Sequence, residues 1–231
     1  MFSSLLAAFT LAAAAVASPI ESRASCDTAS AKLVLPAGQT ALTGQLNPAS
    51  FVLLGVGVQN YTCSSAGTYA SAGAVAELFD ISCLSKTKPA FDSVQDIAYG
   101  LWKAAPASLT TTRVSTLLSS MKLATAGQHY FVTSPSGTGI SPVWDARATS
   151  PLKGNPDAFV LAAKVANIVA PTGAKDIDWL QLKSVQGGLA TQIYRTDTRG
   201  GPAPATCTPG SPPISVKYTS KYWLFGSSVK V

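Results

Sequence analysis

The segment FVLLGVGVQNYTC, residues 51–63, is dense in β-branched and aromatic side chains and carries Gly55 and Gly57 on the same parity. Such residues suit a pleated, buried surface, and glycines within a strand mark a bulge or a close backbone approach. A strand is predicted here, with residues 74–81 (AVAELFDI) as its partner. Upstream, the short apolar pieces 33–35 and 41–46 are broken by Pro36, Gly38 and Pro48 and read as edge strands or loops.

After Cys83 the period changes. Val94, Ile97, Ala98, Leu101 and Trp102 recur at helical spacing behind Ser93 as a cap with Asp96 three residues on. Beyond Pro106, the set Val114, Leu117, Leu118 and Met121 repeats that spacing behind Ser108, so a helical insertion is expected over 93–121. Two-residue alternation then returns in 129–133, 143–147 and 159–169, where Phe159, Leu161, Ala163, Val165, Asn167 and Val169 share one side. Residues 178–185, 189–196 and 214–225 complete the series, and the Pro- and Gly-rich stretch 200–213 reads as a loop holding Cys207. The expected fold is mainly β: an antiparallel β-sandwich or partly closed barrel with an inserted helical hairpin, in a single domain over 18–231.

At 231 residues, with 47% hydrophobic and 12% charged, the chain can bury a core, which excludes disorder as its working state. Residues 5–17 (LLAAFTLAAAAVA) are apolar and end in Ala15-Val16-Ala17, a small-x-small cleavage pattern, so 1–17 reads as a signal peptide. That stretch falls short of the roughly 20 apolar residues a bilayer span needs, and no later one reaches it. The carboxyl end has no hydrophobic tail of the lipid-anchor kind. A soluble, secreted, extracellular domain is expected. In an oxidising compartment the four cysteines, Cys26, Cys63, Cys83 and Cys207, are expected to form two disulfides, and their spacing leaves all three pairings open. With one histidine and four cysteines there are too few donors for a multi-histidine zinc site or a zinc finger, and no metal or cofactor is expected.

Six segments in order, residues 55–63, Leu78-Phe79-Asp80, His129-Tyr130-Phe131, 179–182, 195–201 and 218–225, resemble a secreted family of fungi and bacteria catalogued as domain of unknown function 3455. The likeness runs from about Leu33 to Phe225. It implies that the helical stretch after Cys83 is the longer, fungal form, and that Cys63 pairs with Cys207 and Cys26 with Cys83. It implies no substrate and no catalytic residues. Some members carry the label malate dehydrogenase, which the residues here do not support. Gly55-Val56-Gly57 opens like a dinucleotide fingerprint, but Asn60 stands at the third glycine position and no βαβ unit follows.

His129 is the one side chain whose ordinary pKa suits proton transfer near neutrality, so a histidine-dependent mechanism would have to use it. On a strand it is more often a hydrogen-bonded structural residue, and no Gly-x-Ser-x-Gly elbow supplies a serine partner. Asp80 and Asp145 are the candidate carboxylate partners. Asp80 ends an apolar strand and Asp197 precedes a Gly-Gly turn, where aspartate commonly caps or turns the backbone. Asp176 and Asp178 flank Ile177 and read as solvated loop charge. Trp179 and Trp223 lie in apolar runs and are expected in the core, whereas Trp144, between Pro142-Val143 and Asp145, is the expected surface aromatic. Trp144, Arg195, Asp197 and Tyr222 are the candidate ligand contacts. The net charge of +6 favours anionic glycans or wall material, while its scatter along the chain argues against a nucleic-acid reader. Asn60-Tyr61-Thr62 is an N-glycosylation sequon.

These features lead to an expectation of a secreted, non-catalytic protein associating with cell-wall or host-surface glycans. The alternative is an extracellular hydrolase or lyase on a carbohydrate or ester, using His129 and a nearby carboxylate. An open pocket holding His129 within reach of a carboxylate would favour the second.

Overall fold

In a computed structural model, which describes residues 26–229, the expected first strand is β1, Phe51–Cys63. The expected signal peptide, 1–17, lies outside the described residues. After β1 come β2 (Tyr69–Asp80), β3 (Ala124–Thr133), β4 (Ile140–Asp145), β5 (Phe159–Ile168), β6 (Trp179–Gln186), β7 (Gln192–Gly200) and β8 (Ile214–Phe225). Each pairs antiparallel with the next, and β8 returns to pair with β1 in unbroken register, from Phe51 opposite Leu224 to Tyr61 opposite Ile214. The architecture is therefore a closed eight-stranded barrel, and not a sandwich or a partly closed one. Closure satisfies the backbone groups that two free sheet edges would leave exposed. The pieces at 33–35 and 41–46 are loops.

Alternation along β1 sorts its side chains between two apolar environments. Leu53 faces the barrel interior with Ala74, Ala76, Leu78, Trp144, Val160, Ala162, Leu182, Ile193, Tyr218, Tyr222 and Leu224. Val52, Leu54 and Val56 face outward, into a second cluster with Phe79, Trp223 and Phe225. Helix α1 (Lys88–Ala104) closes that cluster with Phe91, Val94, Ala98 and Trp102. Coverage on both faces explains why β1 reads as an almost continuous apolar run.

Polar contacts fix α1 on the barrel. The Trp102 indole N–H donates to the Gly57 carbonyl at 2.7 Å, and the Lys217 ammonium donates to the Trp102 and Ala105 carbonyls at 2.9 and 2.6 Å. A lysine there satisfies carbonyls that the helix end leaves without partners. Asp96 on α1 pairs with Arg199 on β7.

The insertion departs from the expected hairpin. α1 begins at Lys88, five residues ahead of the expected start, with Pro89 in its first turn, and Ser93 is not its cap but donates its hydroxyl to the Pro89 carbonyl. The second helix shrinks to α2 (Val114–Leu117), a four-residue turn flanked by 3-10 turns at Thr111–Arg113 and Ser119–Met121. Val114 and Leu118 are buried against the barrel, and two anchors one turn apart serve that packing without a longer helix. In β5 the side singled out by alternation turns outward at its far end, where Val165 and Val169 are exposed, while Val160 and Ala162 face inward. A register shift between Lys164 and Ala166 breaks the simple parity.

Disulfides join Cys63 to Cys207 and Cys26 to Cys83, the pairing that the family resemblance implies. The first ties the end of β1 to the 201–213 loop; the second ties the amino-terminal strap to the segment after β2. Among the described residues no helix is long and apolar enough to cross a membrane.

Candidate functional site

One mouth of the barrel holds a cavity of about 240 Å³. Its inner wall comes from strand ends: Phe51 and Leu53 of β1, Leu78 and Asp80 of β2, Ala124 and Ala126 of β3, and Asp145 closing β4. Ala146, Leu152 and Leu189 extend the apolar wall from the β4–β5 and β6–β7 connections. Leu84, Lys122, Leu123 and the Cys26–Cys83 bridge form the rim contributed by the strap and the insertion. Alanines at 124, 126 and 146, where larger side chains would fill the mouth, leave the space open.

Two expected site residues, Asp80 and Asp145, belong to this wall. Asp80 follows Ala76 and Leu78 on the inward side of β2, and one of its oxygens accepts the Ser82 backbone N–H at 2.8 Å. Asp145 is held differently. Its carboxylate receives the Tyr130 hydroxyl at 2.8 Å and two Arg147 nitrogens at 2.6 and 2.9 Å. The Arg147 hydrogen bonds keep the Asp145 carboxyl below the ordinary aspartate range, and the pair raises Arg147 in turn.

His129, Trp144 and Tyr222 sit apart from the mouth, in the barrel core. His129 is 2% exposed and stacks on Trp144 with ring centroids 4.5 Å apart. Its Nδ1–H donates to the Val143 carbonyl at 2.8 Å, and no carboxylate among the described residues is hydrogen-bonded to it. Burial depresses its pKa to about 3, with the nearby Arg195 charge acting in the same direction, so the ring is neutral at physiological pH. Trp144, expected at the surface, is 1% exposed, because the pleat of β4 turns it inward opposite His129. Trp102, Trp179 and Trp223 are buried as well. Tyr222 shares a hydroxyl–hydroxyl hydrogen bond of 2.8 Å with Tyr218. Among the described residues the Trp144 indole N–H and the Ser220 hydroxyl of this layer have no hydrogen-bond partner.

Arg195 and Asp197 are structural in their contacts. Arg195 donates to the Asp178 carbonyl at 2.9 and 3.1 Å. Asp197, at positive φ in an irregular part of β7, faces the buried Lys221 ammonium at 3.5 Å. Burial lowers the Lys221 pKa, and Asp197 works against that shift. Asp176, read as solvated charge, is buried: its oxygens accept the Gly200 N–H and the Thr172 hydroxyl, each at 2.6 Å. The segment 195–201 thus serves to lock β7, and its charges are occupied. No group of three histidine, cysteine, aspartate or glutamate side chains is placed to hold a metal among the described residues.

Asn60 lies on the outward side of β1, half-exposed, with its carbonyl oxygen accepting the Ser215 hydroxyl at 2.7 Å. Among the described residues the amide nitrogen, the atom a glycan would occupy, makes no competing hydrogen bond. Chain secreted from a eukaryotic host is expected to lose the mass of one N-glycan on peptide-N-glycosidase treatment. A mass unchanged by the treatment, as for Asn60→Gln, would show the sequon to be unused.

The mouth residues Leu152, Leu189, Leu123 and Lys122 carry no sequence signal as a group, since they come from three connections that only barrel closure brings together.

Fold and cavity define a class, the closed antiparallel meander barrel with an apolar recess at one end. Residues 44–226 match the family described as Protein of unknown function (DUF3455), and the chain belongs to that family. No curated protein and no solved structure matches it.

Proposed function

We propose that this protein is a non-catalytic, exported binding protein whose ligand site is the apolar recess at the barrel mouth. The observation that carries the reading is the cavity itself, about 240 Å³ of space at the end of a closed barrel, its wall mostly apolar with leucines and alanines prominent. Apolar cavities of about 150 Å³ accept benzene, and pockets for drug-sized molecules begin at about 300 Å³, so a body near the size of naphthalene is the expected fit. Export is supported by two disulfides and by the apolar amino-terminal stretch of the sequence.

The glycan-associated reading of the outer surface rests on the net charge of +6, because all four tryptophans are buried and none offers a stacking face. The alternative of a hydrolase or lyase draws no support from His129, which is neutral and enclosed.

The test is saturable binding of 1-naphthylmethanol to the disulfide-intact chain, followed by calorimetry. Ala126→Leu, which fills the mouth, is expected to weaken binding at least tenfold while thermal unfolding stays cooperative. Equal affinity in both chains, or none up to the probe's solubility, would refute the site.

A further inference from the structure

From the polarity of the cavity wall, we infer that the ligand is a cationic amphipath, a compact apolar body bearing an amine, with Asp80 as the residue that receives the amine. This rests on the cavity reading above and specifies its ligand class. Asp80 stands on the inward side of β2, beside Leu53 and Leu78, half-buried in the wall. The Ser82 N–H occupies one of its oxygens. Among the described residues the other oxygen has no hydrogen-bond partner and the carboxylate has no ion pair, so an acceptor and a negative charge face the space. The second wall carboxylate, Asp145, differs in this respect, since Arg147 and Tyr130 already satisfy it.

Lys122 is the cation on the same wall, and it decides the sign of the preference. It lies exposed on the rim, on a flexible stem that lets its ammonium remain in water, and it makes no ion pair with Asp80. A fixed, half-buried carboxylate discriminates charge more strongly than a solvated ammonium. An amine on an apolar body gains the Asp80 contact while its hydrocarbon fills the leucine-lined depth; a carboxylate ligand meets repulsion at the same point.

Three probes of one shape separate the possibilities on the full, disulfide-intact chain: 1-naphthylmethylamine, 1-naphthylmethanol and 1-naphthoate. The amine is expected to bind about tenfold tighter than the alcohol, the carboxylate weakest, and added salt should reduce the amine's advantage. Asp80→Asn keeps the acceptor for the Ser82 N–H and is expected to remove the amine's tenfold advantage over the alcohol. Lys122→Ala should preserve the order of the three. Carboxylate binding tightest, or amine and alcohol binding equally, overturns the amine preference and leaves the cavity as a binding site. Failure of all three probes to bind overturns the cavity reading together with the preference. The ranking in the unmodified chain holds its force even if Asp80→Asn folds poorly.

Discussion

Replacing Gly57 with alanine is expected to destabilise the protein by about 3–5 kcal/mol, the upper range for one substitution. An added Cβ would stand 2.0 Å from the Val75 carbonyl oxygen and 2.5 Å from the Ala76 Cα, both in the backbone of the adjoining strand. A side chain can rotate away from such an intrusion; a laddered backbone cannot do so without breaking its own hydrogen bonds. The Gly57 carbonyl also accepts the Trp102 indole N–H, so a shift of Gly57 would loosen α1 as well. Gly100, on the exposed side of α1, is the internal control, because a Cβ there meets nothing within 4 Å. Gly100→Ala should stabilise by about 0.5–1 kcal/mol through helix propensity alone. Denaturant titration of both chains checks the pair. A Gly57→Ala midpoint indistinguishable from the parent would show that the two strands are not packed this closely.

Acid should destabilise the fold from an unusually high pH. His129 titrates at about 3 in the folded chain and near 6.5 when unfolded. Between those values the unfolded chain binds a proton that the folded one refuses. Stability from this residue is therefore complete above about 6.5 and falls as pH drops toward 3, by roughly 1.4 kcal/mol per unit and about 5 kcal/mol across the window. Asp145, held low by Arg147, adds its own loss, but only within the carboxylate range. The histidine arm is consequently read between about pH 6.5 and 4.5. His129→Asn retains a side-chain N–H for the Val143 carbonyl and does not titrate. Its stability should be lower at pH 7 and much flatter toward acid. An unchanged slope in that variant would mean that another group carries the acid sensitivity.

The strands are legible because each carries its own local signal, β1 by its β-branched run and β5 above all by its two-residue alternation. What local signals do not show is that β1 and β8 meet. Partners separated by most of the chain leave no mark on local alternation, so an open sandwich and a closed barrel read alike. Asp145 signals solvent for its neighbour Trp144, but adjacent residues of a strand face opposite sides: Asp145 turns to Tyr130 and Arg147 while Trp144 packs on His129. Residues 114–121 read as a longer helix because Val114 and Leu118, buried a turn apart, satisfy helical spacing whether or not a long helix joins them. Of the candidate site, Asp80 and Asp145 were named from chemistry alone, whereas the recess beside them depends on small residues and loops whose meaning is purely spatial.

Since the register of Phe51–Tyr61 against Ile214–Leu224 is the last ladder that synthesis can supply, an emerging polypeptide can pair its earliest strand with β2 but must hold that strand's other edge unmatched until residues 214–225 are made. Such long sequence separation slows folding and prolongs exposure of a sticky margin. A ribosome that stops before residue 214 would release not a smaller barrel but an open ribbon with two adhesive borders, prone to self-association.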